Sequence, residues 1–257
     1  MKVVLFCGGL GTRLREYTDT VPKSMVPVCE KPMLWHLMRY YAHFGHNRFI
    51  LCLGYKGDVI RDYFTQGVED DFVELTRQGE TVDICCEDGT TLQVNLVETG
   101  ENANIAQRLL AVKSYLADSP VFLANYSDGL ADLPLDRYID YVQSQNKTAA
   151  FVSVKPTSSF HAVSFTADGV VKHIKPASKA GFWINGGFFV FKQAIFDYMQ
   201  AGEELVDEPF DRLIEKQQLL AFAHEGFWAC MDTPKDKFAF DERCRQQDMP
   251  WQVWLKD

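Results

Sequence analysis

The sequence has no long apolar run, no excess of positive charge and no paired-cysteine motif. A bilayer-spanning helix needs roughly 18 or more consecutive apolar residues, and the N-terminus shows neither a basic segment nor a cleavage site. We therefore expect a cytoplasmic protein with no membrane partner. The formal net charge of -9 repels phosphate polymers, so we expect no nucleic-acid partner either.

The seven cysteines form no C-x-x-C pair, and their count is odd. Zinc and redox sites of the common kinds have two cysteines with two other residues between them. Cytoplasmic proteins rarely keep disulfides. The sequence therefore predicts free, buried or partly buried thiols in place of disulfides or zinc ligands.

Apolar runs alternate with segments of helical periodicity in the first part of the chain. Strands are predicted at Lys2 to Cys7, Arg48 to Leu53, Val94 to Val97 and Val121 to Ala124, and helices at Pro32 to Phe44, Asp58 to Phe64, Ile105 to Leu116 and Leu135 to Gln145. The polar segment from Thr65 to Leu92 predicts a hairpin. This order predicts an α/β fold with a Rossmann-like mixed, mostly parallel sheet and helices on both faces.

The pattern becomes richer in strands after residue 147. Strands are predicted at Thr148 to Val154, Ala162 to Phe165, Val170 to Ile174, Phe182 to Phe191 and Leu219 to Ala223, and helices at Gln193 to Gln200, Pro209 to Lys216 and from Lys235 onward. We expect the first four of these strands to extend the same sheet in antiparallel fashion. In sheets of this kind, ligands bind at the carboxyl ends of the parallel strands.

Three glycines, Gly8, Gly9 and Gly11, follow the first strand, with Thr12 and Arg13 directly behind them. Glycine allows positive φ and close backbone approach, and successive N–H groups can form a nest for an anion. A simple tight turn would explain one or two glycines but not the threonine and the arginine. The loop therefore predicts phosphate binding. The third glycine of G-x-G-x-x-G is absent, as is a P-loop, which argues against an NAD-dependent oxidoreductase and a P-loop enzyme.

The segment "GGLGTRL", with "PKSMVPV" shortly after it, resembles the signature of the sugar-1-phosphate nucleotidyltransferases. Further stretches in the same order along the whole chain are similar to the glucose-1-phosphate cytidylyltransferase branch: "EKPMLWH", "GYKGD", "YSDGLAD", "INGGFFV", "EP" at Glu208 and "GFWACMDTPKDK". The resemblance implies one domain over residues 1–257. Within it, a nucleotide-binding half (1–147) precedes a strand-rich sugar-phosphate-binding half (148–257), with no linker between the two halves. It also implies a homo-oligomer.

The reaction implied by the resemblance is attack of a sugar 1-phosphate oxygen on the α-phosphorus of a nucleoside triphosphate, with release of pyrophosphate. The attacking oxygen is already anionic, so the protein has to position and neutralise two polyanions, with Mg²⁺ as the cofactor. The branch suggests CTP and glucose 1-phosphate as the two substrates.

Site residues are carried over from the family by motif. The catalytic candidates are Arg13, Lys23, Asp128 and Lys175, and the metal ligands are Asp128 and Asp232. The candidate nucleotide-binding residues are Leu5, Cys7, Gly8, Gly9, Gly11, Thr12, Arg13, Lys23, Thr99, Gln107 and Arg108. The candidate sugar-phosphate-binding residues are Gly129, Lys175, Asn185, Gly186, Gly187 and Glu208.

Three departures from the family pattern leave the specificity open. Gln107 lies where the family is glycine-rich, and its amide could read another pyrimidine edge. Ile174 replaces the glutamate expected before Lys175, and His161 replaces a glycine. An apolar residue cannot accept hydrogen bonds from sugar hydroxyls. UTP or dTTP, another phosphate acceptor, and a catalytically silent nucleotide-sugar sensor therefore remain alternatives.

Overall fold

The computed structural model describes residues 1–66, 72–157 and 160–255, which form sixteen strands and seven α-helices. The strands are β1 Lys2–Phe6, β2 Pro27–Val28, β3 Lys31–Pro32, β4 Arg48–Leu53, β5 Glu74–Gln78, β6 Thr81–Cys85, β7 Thr91–Glu98, β8 Val121–Tyr126, β9 Gly129–Ala131, β10 Ala149–Val154, β11 His161–Phe165, β12 Val171–Pro176, β13 Ile184–Asn185, β14 Phe189–Lys192, β15 Leu219–His224 and β16 Trp228–Cys230. The helices are α1 Arg15–Thr18, α2 Met33–His43, α3 Gly57–Gln66, α4 Ile105–Ala111, α5 Leu135–Gln145, α6 Glu208–Glu215 and α7 Pro234–Arg245.

A ten-stranded sheet in the order β13-β10-β14-β8-β1-β4-β7-β6-β5, with β15 paired to β10, runs through the molecule. Its centre is parallel, because β1 pairs with both β4 and β8, and β4 pairs with β7. Antiparallel strands flank this centre on both sides. The carboxyl ends of the four parallel strands consequently meet at one edge, which is where the glycine loop begins.

Both faces of the sheet are covered. Val3 and Leu5 of β1 belong to one apolar cluster, together with side chains of α2, α3 and α5. Val4 and Phe6 point to the opposite face and pack with α4 and α6. This two-sided burial explains why the parallel strands are almost continuously apolar. Among the described helices, none is both long and apolar enough to cross a bilayer.

The predicted α/β fold with its Rossmann-like centre is confirmed, and the hairpin expected before residue 92 is β5 and β6; residues 67–71 of that segment lie outside the described residues. One expectation was wrong. β11 and β12 do not extend the main sheet but form a separate two-stranded sheet. Each residue of β12 is exposed. The two apolar runs that predicted strands of the main sheet therefore form an exposed hairpin instead.

The prediction that all cysteines are free thiols was also wrong. Cys29 and Cys244 form a disulfide with a Cα–Cα separation of 5.4 Å. Cys29 lies in the turn between β2 and β3, Cys244 lies on α7, and 215 residues separate them along the chain. No spacing motif records such a pair, because only the packing of α7 on the β2–β3 hairpin brings it together. The other five cysteines are free thiols.

Candidate active site

The first wall of the site is the loop after β1. Gly11 has a φ of 60°, and a Cβ atom there would lie 2.8 Å from the side chain of Thr18. Gly8 has a different reason to be glycine, because a Cβ atom would lie 2.1 Å from the Arg108 guanidinium. Glycine allows a positive φ at all three positions, but only Gly11 adopts one. Gly9 is exposed, with no atom within 4 Å of the place a Cβ would take, so its backbone is open to a ligand.

Arg108 joins the carboxyl ends of three strands of the sheet, β1, β4 and β7. Its Nη2 donates to the Gly8 carbonyl at 2.9 Å, and its Nη1 donates to the carbonyls of Leu53 at 3.1 Å and Gly100 at 2.9 Å. Nη1 also lies 2.8 Å from the Thr99 hydroxyl. The arginine is 2% exposed, and its burial lowers the pKa of the guanidinium. Arg108 therefore fixes the loop backbone from inside.

Two carboxylates are brought side by side by a short ribbon. β16 pairs with β9 in antiparallel fashion, with Cys230 opposite Gly129, and the Met231 amide donates to the Asp128 carbonyl at 2.8 Å. Asp128 precedes β9 and Asp232 follows β16. The ribbon places both side chains beside the glycine loop, although they are far apart in the sequence.

Lys23 lies between the two carboxylates. Its Nζ is 2.7 Å from Asp128 Oδ2 and also bonds Asp232 Oδ1, and the Arg13 guanidinium is 3.3 Å from the same Asp232 oxygen. Burial opposes the charge on Lys23, but the two carboxylates outweigh it and raise the pKa of the ammonium. Burial likewise opposes ionisation of Asp232, yet Lys23 and Arg13 lower its pKa. The four side chains form one cluster of two cationic groups and two carboxylates.

A small cavity of about 190 Å³ opens beside this cluster. Its wall combines residues of the glycine loop, the end of β8 and the N-terminus of α4: Phe6, Cys7, Gly9, Lys23, Ser24, Ala103, Asn104, Ile105, Arg108, Tyr126, Ser127, Asp128 and Glu204. Five of these, Cys7, Gly9, Lys23, Arg108 and Asp128, are predicted site residues. The thiol of Cys7 is buried, which raises its pKa to about 12.

The turn of Asn185, Gly186 and Gly187, which we name the sugar-side turn because these residues are predicted to bind the sugar phosphate, lies next to the end of β8. Gly187 has a φ of 77°, and its amide donates to Asn185 Oδ1 at 2.9 Å. The Asn185 amide nitrogen lies 3.4 Å from the Tyr126 hydroxyl, and Trp228 Nε1 donates to the Gly186 carbonyl at 2.9 Å. The turn is thus tied both to β8 and to the β9–β16 ribbon that carries the two carboxylates.

Four of the predicted site residues that do not line this cavity have positions or contacts elsewhere in the fold. Lys175 is on the exposed β12 and does not line the cavity. Gln107 is part of the capping box at the start of α4, where its carbonyl accepts from the Asn104 amide at 2.8 Å. Leu5 is fully buried inside β1. Glu208 lies on α6 and accepts from the Glu204 amide at 3.3 Å.

Glu204 itself is a cavity residue that the sequence reasoning missed. It carries no motif of its own and lies in an irregular segment. Its nearness to the "EP" dipeptide at Glu208 is the one signal that could have drawn attention to it.

Two carboxylates and phosphate oxygens are the hard oxygen ligands that Mg²⁺ prefers. Asp128 and Asp232 are close enough to share one ammonium group, so the pair fits a Mg²⁺ ion that takes its remaining ligands from substrate and water. Within the described ranges, no group of three or more histidine, cysteine or acidic side chains could hold a metal ion by itself. The geometry thus suits a metal that depends on its substrate for ligands.

Comparison with known proteins places the chain in a family. Residues 2–240 match the family model described as "Nucleotidyl transferase". The chain is 35% identical over 257 residues to the "Probable glucose-1-phosphate cytidylyltransferase" of Bacillus subtilis, covering 99% of this chain and 100% of that protein. It is 35% identical over 256 residues to the glucose-1-phosphate cytidylyltransferase of Salmonella typhimurium, again covering 99% and 100%.

The fold is shared with solved structures at low sequence identity. The crystal structure of HddC from Yersinia pseudotuberculosis superposes with a TM-score of 0.65 at 22% identity, covering 94% of this chain and 98% of that one. A family match over residues 2–240, full-length relatives at 35% identity and a common fold agree with the glycine loop and the carboxylate pair at the edge of the sheet. This chain is an enzyme that belongs to the nucleotidyltransferase family.

Proposed function

We propose that this protein transfers a nucleotidyl group from a nucleoside triphosphate to a sugar 1-phosphate in a Mg²⁺-dependent reaction. The products are a nucleoside diphosphate sugar and pyrophosphate. The observation that carries the proposal is the convergence of Lys23, Asp128, Asp232 and Arg13 next to an open glycine loop at the carboxyl edge of the sheet. The two relatives named glucose-1-phosphate cytidylyltransferase support CTP and glucose 1-phosphate as substrates.

The main physical task of the site is to bring two polyanions together. Two unit charges at 4 Å repel by about 4 kcal/mol at an effective dielectric constant of 20. In our proposal the loop amides and Arg13 hold the triphosphate, and Lys23 offsets charge that grows on the transferring group. Asp128 and Asp232 would hold Mg²⁺, which would supply further positive charge to the phosphates. No general base is required, because the attacking phosphate oxygen is already ionised.

The acceptor binds, in this proposal, between the glycine loop and the Asn185 turn. Tyr126 lines the cavity, and its hydroxyl lies 3.4 Å from the Asn185 amide nitrogen. An acceptor phosphate held there would lie beside the carboxylate cluster, so that its oxygen could attack in line.

A matrix of CTP, UTP, dTTP, ATP and GTP against a panel of sugar 1-phosphates, assayed for pyrophosphate release, tests the proposal. We expect the highest kcat/KM with CTP and glucose 1-phosphate, and loss of turnover when EDTA removes the metal. Binding of a nucleotide without pyrophosphate release for any acceptor would contradict the proposal and favour a sensor.

The carboxylate pair has its own test. We expect Asp128→Asn and Asp232→Asn each to lower kcat by about a hundredfold or more, because each removes a metal ligand and a charge next to the transferring phosphate. Asp140→Asn, on an exposed position of α5, is the matched control and should retain wild-type rates. Near-normal turnover of both site variants would rule out the metal assignment.

A further inference from the structure

The β11–β12 hairpin provides no carboxylate where a sugar-hydroxyl acceptor is expected. Ile174 is apolar and 62% exposed, and the only acidic residue between positions 160 and 183 is Asp168. Asp168 follows β11 in the turn of the hairpin. A hydroxyl-rich acceptor buried in the site still needs hydrogen-bond acceptors, because unpaired buried hydroxyl groups are costly. The acceptor group therefore has to come from another element.

Glu204 is a partly buried carboxylate in the wall of the active-site cavity. It lies in the segment that leads from β14 to α6, and shares the cavity with Lys23, Asp128 and Tyr126. The Tyr126 hydroxyl lies 3.4 Å from the Asn185 amide nitrogen of the sugar-side turn. Tyr126, at the end of β8, thus connects the cavity that Glu204 lines with the Asn185 side chain.

The backbone around Glu204 is held from both sides. The Glu203 carbonyl accepts from Asn104 Nδ2 at 2.8 Å, which ties the segment to the start of α4. The Glu204 amide donates to Glu208 Oε2 at 3.3 Å, which ties it to α6. The two terminal nitrogens of Arg212, Nη1 and Nη2, donate to the two oxygens of the Glu203 carboxylate. These contacts fix the segment on two helices.

The Glu204 carboxylate is oriented with one oxygen left for a ligand. Its Oε1 accepts from the Leu205 amide at 2.8 Å. Over residues 1–66, 72–157 and 160–255, no protein group donates to its Oε2. A fixed carboxylate with one free oxygen, in the wall of a cavity that Tyr126 also lines, is suited to bind neighbouring hydroxyl groups of a sugar ring.

We propose that Glu204 accepts hydrogen bonds from the ring hydroxyls of the sugar 1-phosphate and determines the acceptor specificity of this enzyme. This inference rests on the proposed function. It assigns to Glu204 the task that Ile174 cannot perform, and it gives Glu208 a supporting role beneath it. The same negative charge disfavours acceptors that carry a second phosphate or a carboxylate on the ring.

The test compares Glu204→Gln with wild type and with Glu215→Gln, an exposed position at the end of α6. The glutamine oxygen can still accept from Leu205, so the segment is expected to keep its fold, which circular dichroism and thermal unfolding check. We expect the KM for glucose 1-phosphate to rise about tenfold to a hundredfold, the range for loss of a charged hydrogen bond. The KM for the nucleotide should change less than about twofold, and Glu215→Gln should match wild type.

A second readout uses deoxyglucose 1-phosphates that lack one ring hydroxyl each. Wild type should discriminate against at least one of them by about tenfold or more, and Glu204→Gln should lose most of that discrimination. An unchanged KM for glucose 1-phosphate, or a rise confined to the nucleotide KM, would overturn the assignment while the proposed function stands. Absence of pyrophosphate release by wild type with every acceptor would overturn the proposed function, and this inference with it.

Discussion

Arg108 shows how one buried side chain can fix the backbone around a cavity. Its guanidinium carries a positive charge at 2% exposure, and the partners described above are carbonyl and hydroxyl oxygens. Carbonyl dipoles from Gly8, Leu53 and Gly100 take the place of a counter-ion. Because Gly8 follows β1, Leu53 ends β4 and Gly100 follows β7, the geometry of this edge of the sheet depends on a single side chain.

Replacement of Arg108 by lysine should therefore disturb both stability and nucleotide binding. Lysine keeps the charge but cannot form the planar fork that reaches several carbonyls at once. We expect a loss of about 2–4 kcal/mol in the free energy of unfolding and a rise in the KM for the nucleotide larger than that for the acceptor. Urea denaturation and steady-state kinetics measure the two effects. Arg137→Lys, on the exposed side of α5, is the control, and equal behaviour of the two variants would contradict this role.

The residues of the charged cluster could be found from sequence because each lies in a motif, and the structure brings Lys23, Asp128 and Asp232 together. Glu204 could not be found in this way. The "EP" dipeptide marks Glu208. In the structure, Glu208 accepts a hydrogen bond from the Glu204 amide, and it is Glu204 that lines the cavity. The contacts of Arg108 were equally hidden, because backbone carbonyls leave no residue-type signal.

At the scale of elements, the sequence predicts a helix well when its ends are marked. The predicted α5 has the observed bounds, since an apolar stripe runs from Leu135 and Asn146 ends the helix with a φ of 51°. The β11–β12 hairpin was misassigned to the main sheet for an equally physical reason. Strand periodicity reports an apolar face, here Val163 paired with Ile174, but not whether that face is buried.

The hairpin position of Lys175 leads to a kinetic prediction. If Lys175 binds the sugar phosphate, Lys175→Ala should lower kcat/KM for glucose 1-phosphate by about tenfold or more, because a charged hydrogen bond to phosphate is lost. Lys172→Ala, an exposed lysine of the same strand, provides the control. Equal kinetics of wild type and both variants would remove Lys175 from the site and leave the hairpin without a catalytic residue.

Helix α2 is fastened to the turn between β6 and β7 by a pH-dependent ion pair. The Arg39 side chain is 11% exposed and bonds both oxygens of Asp88. The hydrogen bond from Arg39, opposed by partial burial, lowers the pKa of Asp88 well below its ordinary value of 3.8. Since the folded-state pKa is depressed, the pair stabilises fully above pH 3.8, and its contribution is lost as the pH falls toward the folded-state pKa.

We therefore expect Asp88→Asn to lower the free energy of unfolding by about 1–2 kcal/mol at neutral pH, a value reduced because Asp88 is half exposed. The difference from wild type should stay constant from pH 7 to about pH 4 and then shrink as the solution becomes more acidic. Denaturant titrations at several pH values measure it. Glu87→Gln, at the exposed neighbouring position, should show no such difference, and a difference that grows in acid would contradict the assignment.

At the scale of the whole molecule, a protein of net charge -9 places the cationic side chains of Arg13 and Lys23 at the carboxyl edge of its sheet, where each pairs with a carboxylate. The glycine loop, Lys23 and Arg13 come from the first 23 residues, while Asp232 comes from the last 30. Such distant segments need a tie. The β2–β3 hairpin directly follows the Lys23 turn, α7 directly follows Asp232, and the Cys29–Cys244 disulfide joins these two elements.

Reduction of this disulfide should destabilise the molecule. The bond closes a segment of 215 residues, and a cross-link over so long a loop restricts the unfolded chain strongly. The expected loss is roughly 2–4 kcal/mol in the free energy of unfolding. Wild type with dithiothreitol and Cys29→Ser without it should unfold at the same lowered temperature, and Cys29→Ser should not respond to the reductant. Cys85→Ser, which removes a partly buried free thiol, should unfold at a temperature that still falls when dithiothreitol is added. If alkylation and mass spectrometry of unreduced wild type label both Cys29 and Cys244, the tie is absent in solution and the catalytic segments are held by packing alone.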